Sequence, residues 1–240
     1  MEVFGSTDSP HFEPAAVQHV TERFPKHFRF LGDTGAKETV QYGRTQAAKH
    51  GLSTSGYAIL FIDLTLLLGR GFDSDPQLAW AADILDDRRS TADDKAQALY
   101  QSAMDYLDLV SGPDNAYIDA AQSRLLEEPL EIAGAPEAFM SELKKRLKKV
   151  FPEKALYLGE EGLDQLVRKA AARSGQYGLA NPQGVMLFTG MMFMLGSSFD
   201  SDPLFSWASD VLNDKRITSH GERSHRLHAA GIAYLKQWCA

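Results

Sequence analysis

A single cysteine, Cys239, stands one residue from the end of this 240-residue chain. No internal disulfide framework is possible, and the chain reads as suited to a reducing compartment. Positive charge is in the minority, with 25 Lys and Arg against 32 Asp and Glu for a net charge of −7. That balance argues against nonspecific nucleic-acid binding, which needs cationic surface to displace counterions from phosphates. Long apolar runs are missing too: residues 57–68 and 185–195 are too short to span a bilayer and read as buried helices. Residues 1–10 are polar and lack the basic and apolar stretches of a secretory signal, which sets the expectation of a cytoplasmic protein. The sequence contains no phosphate loop, no dinucleotide fingerprint and no Gly-x-Ser-x-Gly elbow, so neither a cofactor nor a ready-made catalytic constellation is expected. What remains is a chain 44% hydrophobic, sufficient for one large core or two small ones.

The chain aligns with itself at an offset of 127. Phe72-Asp73-Ser74-Asp75-Pro76 returns as Phe199-Asp200-Ser201-Asp202-Pro203, and Trp80-Ala81 as Trp207-Ala208. Over residues 72–91, twelve of twenty positions are identical to their partners, where average residue usage gives about one match by chance. Upstream the register holds at Phe24-Pro25/Phe151-Pro152, Leu31-Gly32/Leu158-Gly159, Gly51-Leu52/Gly178-Leu179 and Leu68-Gly69/Leu195-Gly196. The expected organisation is a tail over 1–13, a helical repeat over 14–110, a connector with one helix over 111–135 and a second repeat over 136–240.

Apolar residues recur at intervals of three and four, and no segment alternates as a strand would, so the fold is expected to be all-α. Helices are predicted over 14–23, 35–50, 54–68, 76–87 and 91–109, then over 136–150, 161–176, 182–195, 203–214 and 219–237, with breaks at Glu128-Pro129 and Gly134-Ala135-Pro136. Two five-helix units related by a pseudo-two-fold axis follow, with the helices ending at Leu68 and Leu195 most buried and Gly190 allowing close backbone approach at the centre. The repeated block reads as helix punctuation. Gly69 and Gly196 suit a left-handed position after a helix, and Asp75-Pro76 and Asp202-Pro203 suit an N-cap followed by the first helical residue. Phe72 and Phe199 are placed to pack beneath the turn, while Trp80 and Trp207 head apolar stripes as core anchors.

Several clusters have the residue types of a site. Asp73 with Asp75, and Asp200 with Asp202, have the spacing of a calcium loop's first ligands, but Pro76 interrupts the pattern and no twelfth-position Glu follows. Capping is the reading adopted. Asp83 and Asp87, matched by Asp210 and Asp214, oppose each other and the helix dipole. Local pairing with Arg89 and Arg216 accounts for this, and a protein partner using the acidic surface is the alternative. Asp63 interrupts an apolar run where its counterpart is Gly190, so a partner such as an Arg or a helix terminus is expected. Glu222, His225 and His228, with His220 nearby, supply half of a carboxylate-bridged metal set. Surface histidines are the simpler reading, and a metal-assisted hydrolase using these residues with Asp73 or Asp200 is the alternative function. The basic run 144–149 reads as a mostly solvated face, and Met186, Met191, Met192 and Met194 as adaptable core rather than a ligand groove.

Taken together, Phe-Pro, Leu-Gly, His50-Gly51-Leu52 and Tyr177-Gly178-Leu179, Leu-Gly at a helix end, and Phe-Asp-x-Asp-Pro with Trp-Ala following resemble a group of small bacterial helical proteins often encoded beside type VI secretion components. The resemblance covers 24–91 and 151–218, in two copies. It implies a noncatalytic accessory protein whose partner is another protein: an adaptor or chaperone escorting a secreted toxin, or an immunity protein blocking one. A delivered toxin is a third possibility. The matched motifs are structural, and neither the partner nor the oligomeric state is specified by them.

Overall fold

The computed structural model describes residues 7–127 and 138–239. The breaks expected at Glu128-Pro129 and Gly134-Ala135-Pro136 lie outside the described residues. Within them the chain is helical and contains no strand. In order come α1 (Phe12–Arg23), α2 (Pro25–Lys49), α3 (Ser55–Leu68), α4 (Ala79–Asp86), α5 (Ala92–Ser111), α6 (Ala116–Glu127), α7 (Phe139–Val150), α8 (Pro152–Gln176), α9 (Pro182–Leu195), α10 (Ser206–Asn213) and α11 (His220–Cys239). Single 3₁₀ turns, Phe72–Ser74 and Pro76–Leu78, precede α4, and Phe199–Ser201 and Pro203–Phe205 precede α10. Adding 127 to the bounds of α1 through α4 gives those of α7 through α10, and α11 begins one residue later than α5 would place it.

Local chemistry sets the boundaries. The Thr54 and Asn181 side chains accept from the amides of Tyr57 and Gly184 and start α3 and α9, each satisfying an amide with no intrahelical partner. Thr91 and Asp94 cap each other reciprocally at the start of α5. Two predicted boundaries are corrected. Helices α2 and α8 begin ten and nine residues earlier than periodicity indicated, because Pro25 and Pro152 occupy first-turn positions where a missing N–H costs nothing. The apolar pattern changes at Gly32 and Gly159, whose φ values of 59° and 65° with ψ near −174° and −177° kink each helix without ending it. The short helices after Asp75-Pro76 and Asp202-Pro203 likewise open with a 3₁₀ turn before α4 and α10 begin.

One continuous hydrophobic core runs through both blocks. Phe72 and Phe199 are buried and meet Phe61 and Phe188 with ring centroids 4.7 and 4.9 Å apart. Trp80 and Trp207 are only partly buried against that core. The two backbones approach closely at the ends of α3 and α9. A Cβ on Gly69 would lie 3.0 Å from the Leu195 carbonyl oxygen, and one on Gly196 would lie 3.4 Å from that of Leu68. Both glycines have positive φ, 96° and 94°, but with ψ of 155° and 157° they occupy a region essentially restricted to glycine, not the left-handed helical one expected. Gly69→Ala is expected to lower stability by about 1–3 kcal/mol for that reason, measured as a shift in the urea midpoint at unchanged slope; no shift would mean the crossing is looser than described.

Candidate functional site

The Asp-Pro motifs lie where the two blocks meet. Asp75, 3% exposed, accepts from the Gln77 amide through Oδ1 at 2.9 Å, as its N-cap position requires, and from the Ser197 amide through Oδ2 at 2.8 Å. Asp202 does the same in reverse, accepting from Leu204 at 2.9 Å through Oδ1 and from Arg70 at 3.0 Å through Oδ2. Ser197 is Arg70 displaced by 127 positions, so each block's cap reaches across to the other block's helix end. The kinked helices reinforce the exchange: α2 packs on Pro203–Phe205 and α8 on Pro76–Leu78. Burial raises the Asp202 carboxyl's pKa, against the pull of the two amides and Arg70. The outer acids of the motifs turn to their own blocks: Asp73 meets His50 Nε2 at 3.2 Å, and Asp200 accepts from Arg173 Nε at 2.6 Å and from the Tyr177 hydroxyl at 2.9 Å. The motif's carboxylates are thus engaged with helix ends and side chains of the fold.

The remaining candidates separate. Asp63 pairs with His19 Nε2 at 2.7 Å, so its partner is a histidine from α1 and not the expected arginine or helix terminus. Burial raises its pKa, and His19 opposes the shift. Asp87 accepts from the Arg89 amide at 3.0 Å and the Ser90 hydroxyl at 2.8 Å, and Asp214 from the Arg216 amide at 2.9 Å and its guanidinium at 2.8 Å. These hydrogen bonds hold both carboxyls below the ordinary range, Asp214 at about 2. Asp83 and Asp210, by contrast, are exposed and make no hydrogen bond or ion pair among the described residues. Glu222 pairs with Arg226 at 2.7 Å, His225 is exposed, and His220 Nδ1 meets the Gly178 carbonyl. Among the described residues no three His, Cys, Asp or Glu side chains converge as a metal site would require. In the basic run, Lys144 bridges Asp164 at 2.8 Å and Glu160 at 3.2 Å, Lys148 also meets Glu160, and the run fastens α7 to α8.

The feature that sequence reasoning missed is a cavity of about 350 Å³ between the blocks, within the range of small-molecule sites. Its wall is apolar for most of its extent and includes Leu66 to Gly69 and Leu195-Gly196. Met186, Met191 and Met194 pack in or against the core as expected and also line the cavity, while Met192 is buried away from it. Gly190 lines it as well, and a Cβ there would meet nothing within 4 Å. Close approach at Gly190 was therefore a wrong expectation: the missing side chain leaves open space, and the crossing is at Gly69 and Gly196. His228 forms part of the wall and is half-buried, with its pKa lowered by burial and by His225.

Two nitrogen groups stand in that wall at positions 127 apart. His27 donates to the Leu66 carbonyl, and burial, partly offset by that bond, lowers its pKa to about 4. Lys154 donates to the Phe193 carbonyl at 2.5 Å, is 8% exposed, and is lowered by burial to about 8 despite the field of Asp75. The signal available in the sequence was the alignment of Phe24-Pro25-Lys26-His27 with Phe151-Pro152-Glu153-Lys154, but nothing in it marks these side chains as buried. No family model, curated protein or solved structure matches this chain. No helix of the described residues is long and apolar enough to cross a membrane.

Proposed function

We propose that this chain is a noncatalytic protein-binding module built by tandem duplication, serving type VI secretion as an effector adaptor or chaperone or as an immunity protein. Its halves are taken to be related by a pseudo-two-fold axis between Gly69 and Gly196. Three observations support the duplication: element bounds that recur at 127 residues, paired glycine dihedrals, and the exchanged aspartate caps. The observation that carries the binding reading is the division of labour among the matched acids. Asp73, Asp75, Asp87, Asp200, Asp202 and Asp214 are engaged within the fold, while Asp83 and Asp210 are presented outward on corresponding helices, α4 and α10. An exposed carboxylate near a helix C-terminus has unfavourable macrodipole electrostatics of its own, so a basic partner surface supplies what the isolated chain lacks.

Affinity copurification from the native host, with neighbouring genes expressed, tests this. A stoichiometric protein partner is expected, with Asp83→Lys and Asp210→Lys each reducing its recovery and the double variant losing it, at a stability within about 0.5 kcal/mol of the parent because both sites are on the surface. Recovery of no partner would reject the function, and undiminished capture by the double variant would reject this surface.

A further inference from the structure

The cavity wall contains a charge that the fold does not match. Lys154 has one hydrogen bond, to a carbonyl, and its ammonium lies 5.4 Å from the Phe193 ring centroid; among the described residues no carboxylate comes within ion-pair distance of it. The acid whose field acts on it is Asp75, whose oxygens already accept from Gln77 and Ser197. An ammonium taken out of water without a counter-charge is costly. Methionine or leucine would fill the same space without that penalty, so folding alone gives no reason for a lysine here. Gly190 compounds this, since it leaves a helix interior without a side chain where one would meet only empty volume.

We propose that the cavity is a binding site for a single-chain fatty carboxylate, its carboxylate paired with Lys154 Nζ and its hydrocarbon chain among Leu187, Gly190, Met191 and Trp207. The apolar wall requires hydrocarbon, and the flexible thioethers adapt to a chain without fixed shape. Of the two cations in the wall, Lys154 and Arg146, Lys154 is the one the fold leaves without a counter-charge, and a single negative charge matches it. His27, held neutral at pH 7 by burial, adds no charge, and its one N–H is taken by the Leu66 carbonyl, while Arg146 reaches towards Met186 Sδ at 3.2 Å. A phosphate monoester, with close to two charges and more acceptor oxygens, would leave much of its headgroup unpaired at this wall. Neither Asp83 nor Asp210 lines the cavity, so loss of fatty-acid binding and loss of a protein partner are separate readouts.

The test is calorimetric titration of the whole chain, stripped of copurifying lipid, with dodecanoate below its micellar concentration, beside dodecanol and phosphatidylglycerol vesicles. One dodecanoate per chain is expected. Lys154→Met should weaken dodecanoate at least tenfold while leaving dodecanol unchanged and the thermal midpoint equal or higher, since a buried charge has been removed. Gly190→Leu should weaken both ligands, and Gly190→Ala, which adds one methyl to open space, serves as its folded control. Native mass spectra of unstripped protein should show an adduct in the mass range of a free fatty acid. Absence of dodecanoate binding, equal binding by Lys154→Met, or binding to the phospholipid vesicles but not to dodecanoate would each overturn the assignment.

Discussion

Asp75→Ala is expected to lower the unfolding free energy by about 3 kcal/mol, which would make it one of the most damaging single changes available in this chain. The figure follows from what the carboxylate holds. Its N-cap bond to the Gln77 amide is worth about 1 kcal/mol, and its bond to the Ser197 amide is charge-assisted, of a class worth about 1.5–3 kcal/mol. Alanine leaves the Ser197 N–H buried without an acceptor, since Ser197 itself is fully inaccessible. Asp202→Ala should behave alike through Arg70 and Leu204. The two sites share one junction, so the double variant should depart from additivity by about 0.5–3 kcal/mol. Urea denaturation of the four proteins measures this. Strict additivity with small single effects would mean that the exchanged caps do not join the blocks energetically.

The second large effect is a pH dependence. Burial holds the His27 imidazole at about 4 in the folded protein, against 6.5 for an unperturbed histidine. Between those values the unfolded chain binds a proton that the folded chain refuses, so stability is complete above pH 6.5 and is lost as pH falls towards 4. The difference corresponds to about 3 kcal/mol. His27→Gln keeps a donor for the Leu66 carbonyl but cannot titrate in this range, and should remove that part of the acid loss. Lys154 acts in the same sense at higher pH: its folded pKa of about 8 lies below the 10.5 of an ordinary lysine, so stability should rise as pH climbs from 8 to 10.5 and the rise should vanish in Lys154→Met. Urea midpoints for the parent and both variants across pH 4–10.5 check both windows. An unchanged acid limb in His27→Gln would remove histidine 27 from the account.

Much of the scaffold was legible in the sequence because its signals are local. The caps at Asp75 and Asp202, the prolines after them, and the glycines ending α3 and α9 act within a few residues of where they stand. The starts of α2 and α8 were missed because the kinks at Gly32 and Gly159 shift the phase of the apolar pattern, so a search for one period finds only the second part. The partners were harder. Asp75 reads as a cap on its own helix, and no spacing rule reports that its second oxygen serves an amide 122 residues away. Asp63 asks for a partner without naming His19. The cavity is the least legible feature, since a void has no residue of its own. It is defined by what Gly190 lacks and by where the walls stop, and the composition of α9 is as apolar around an empty space as around a filled one.

The exchange of caps between blocks has a consequence for how such a molecule could come apart. Neither block finishes its own turn, because the amide that follows α3 is satisfied by Asp202 and the amide that follows α9 by Asp75. Two separately synthesised pieces would therefore carry, in their unfinished ends, the instructions for finding each other. A single piece offered only its own kind would present the same donor and the same acceptor to its twin, the condition for a closed pair with no peptide link between the members.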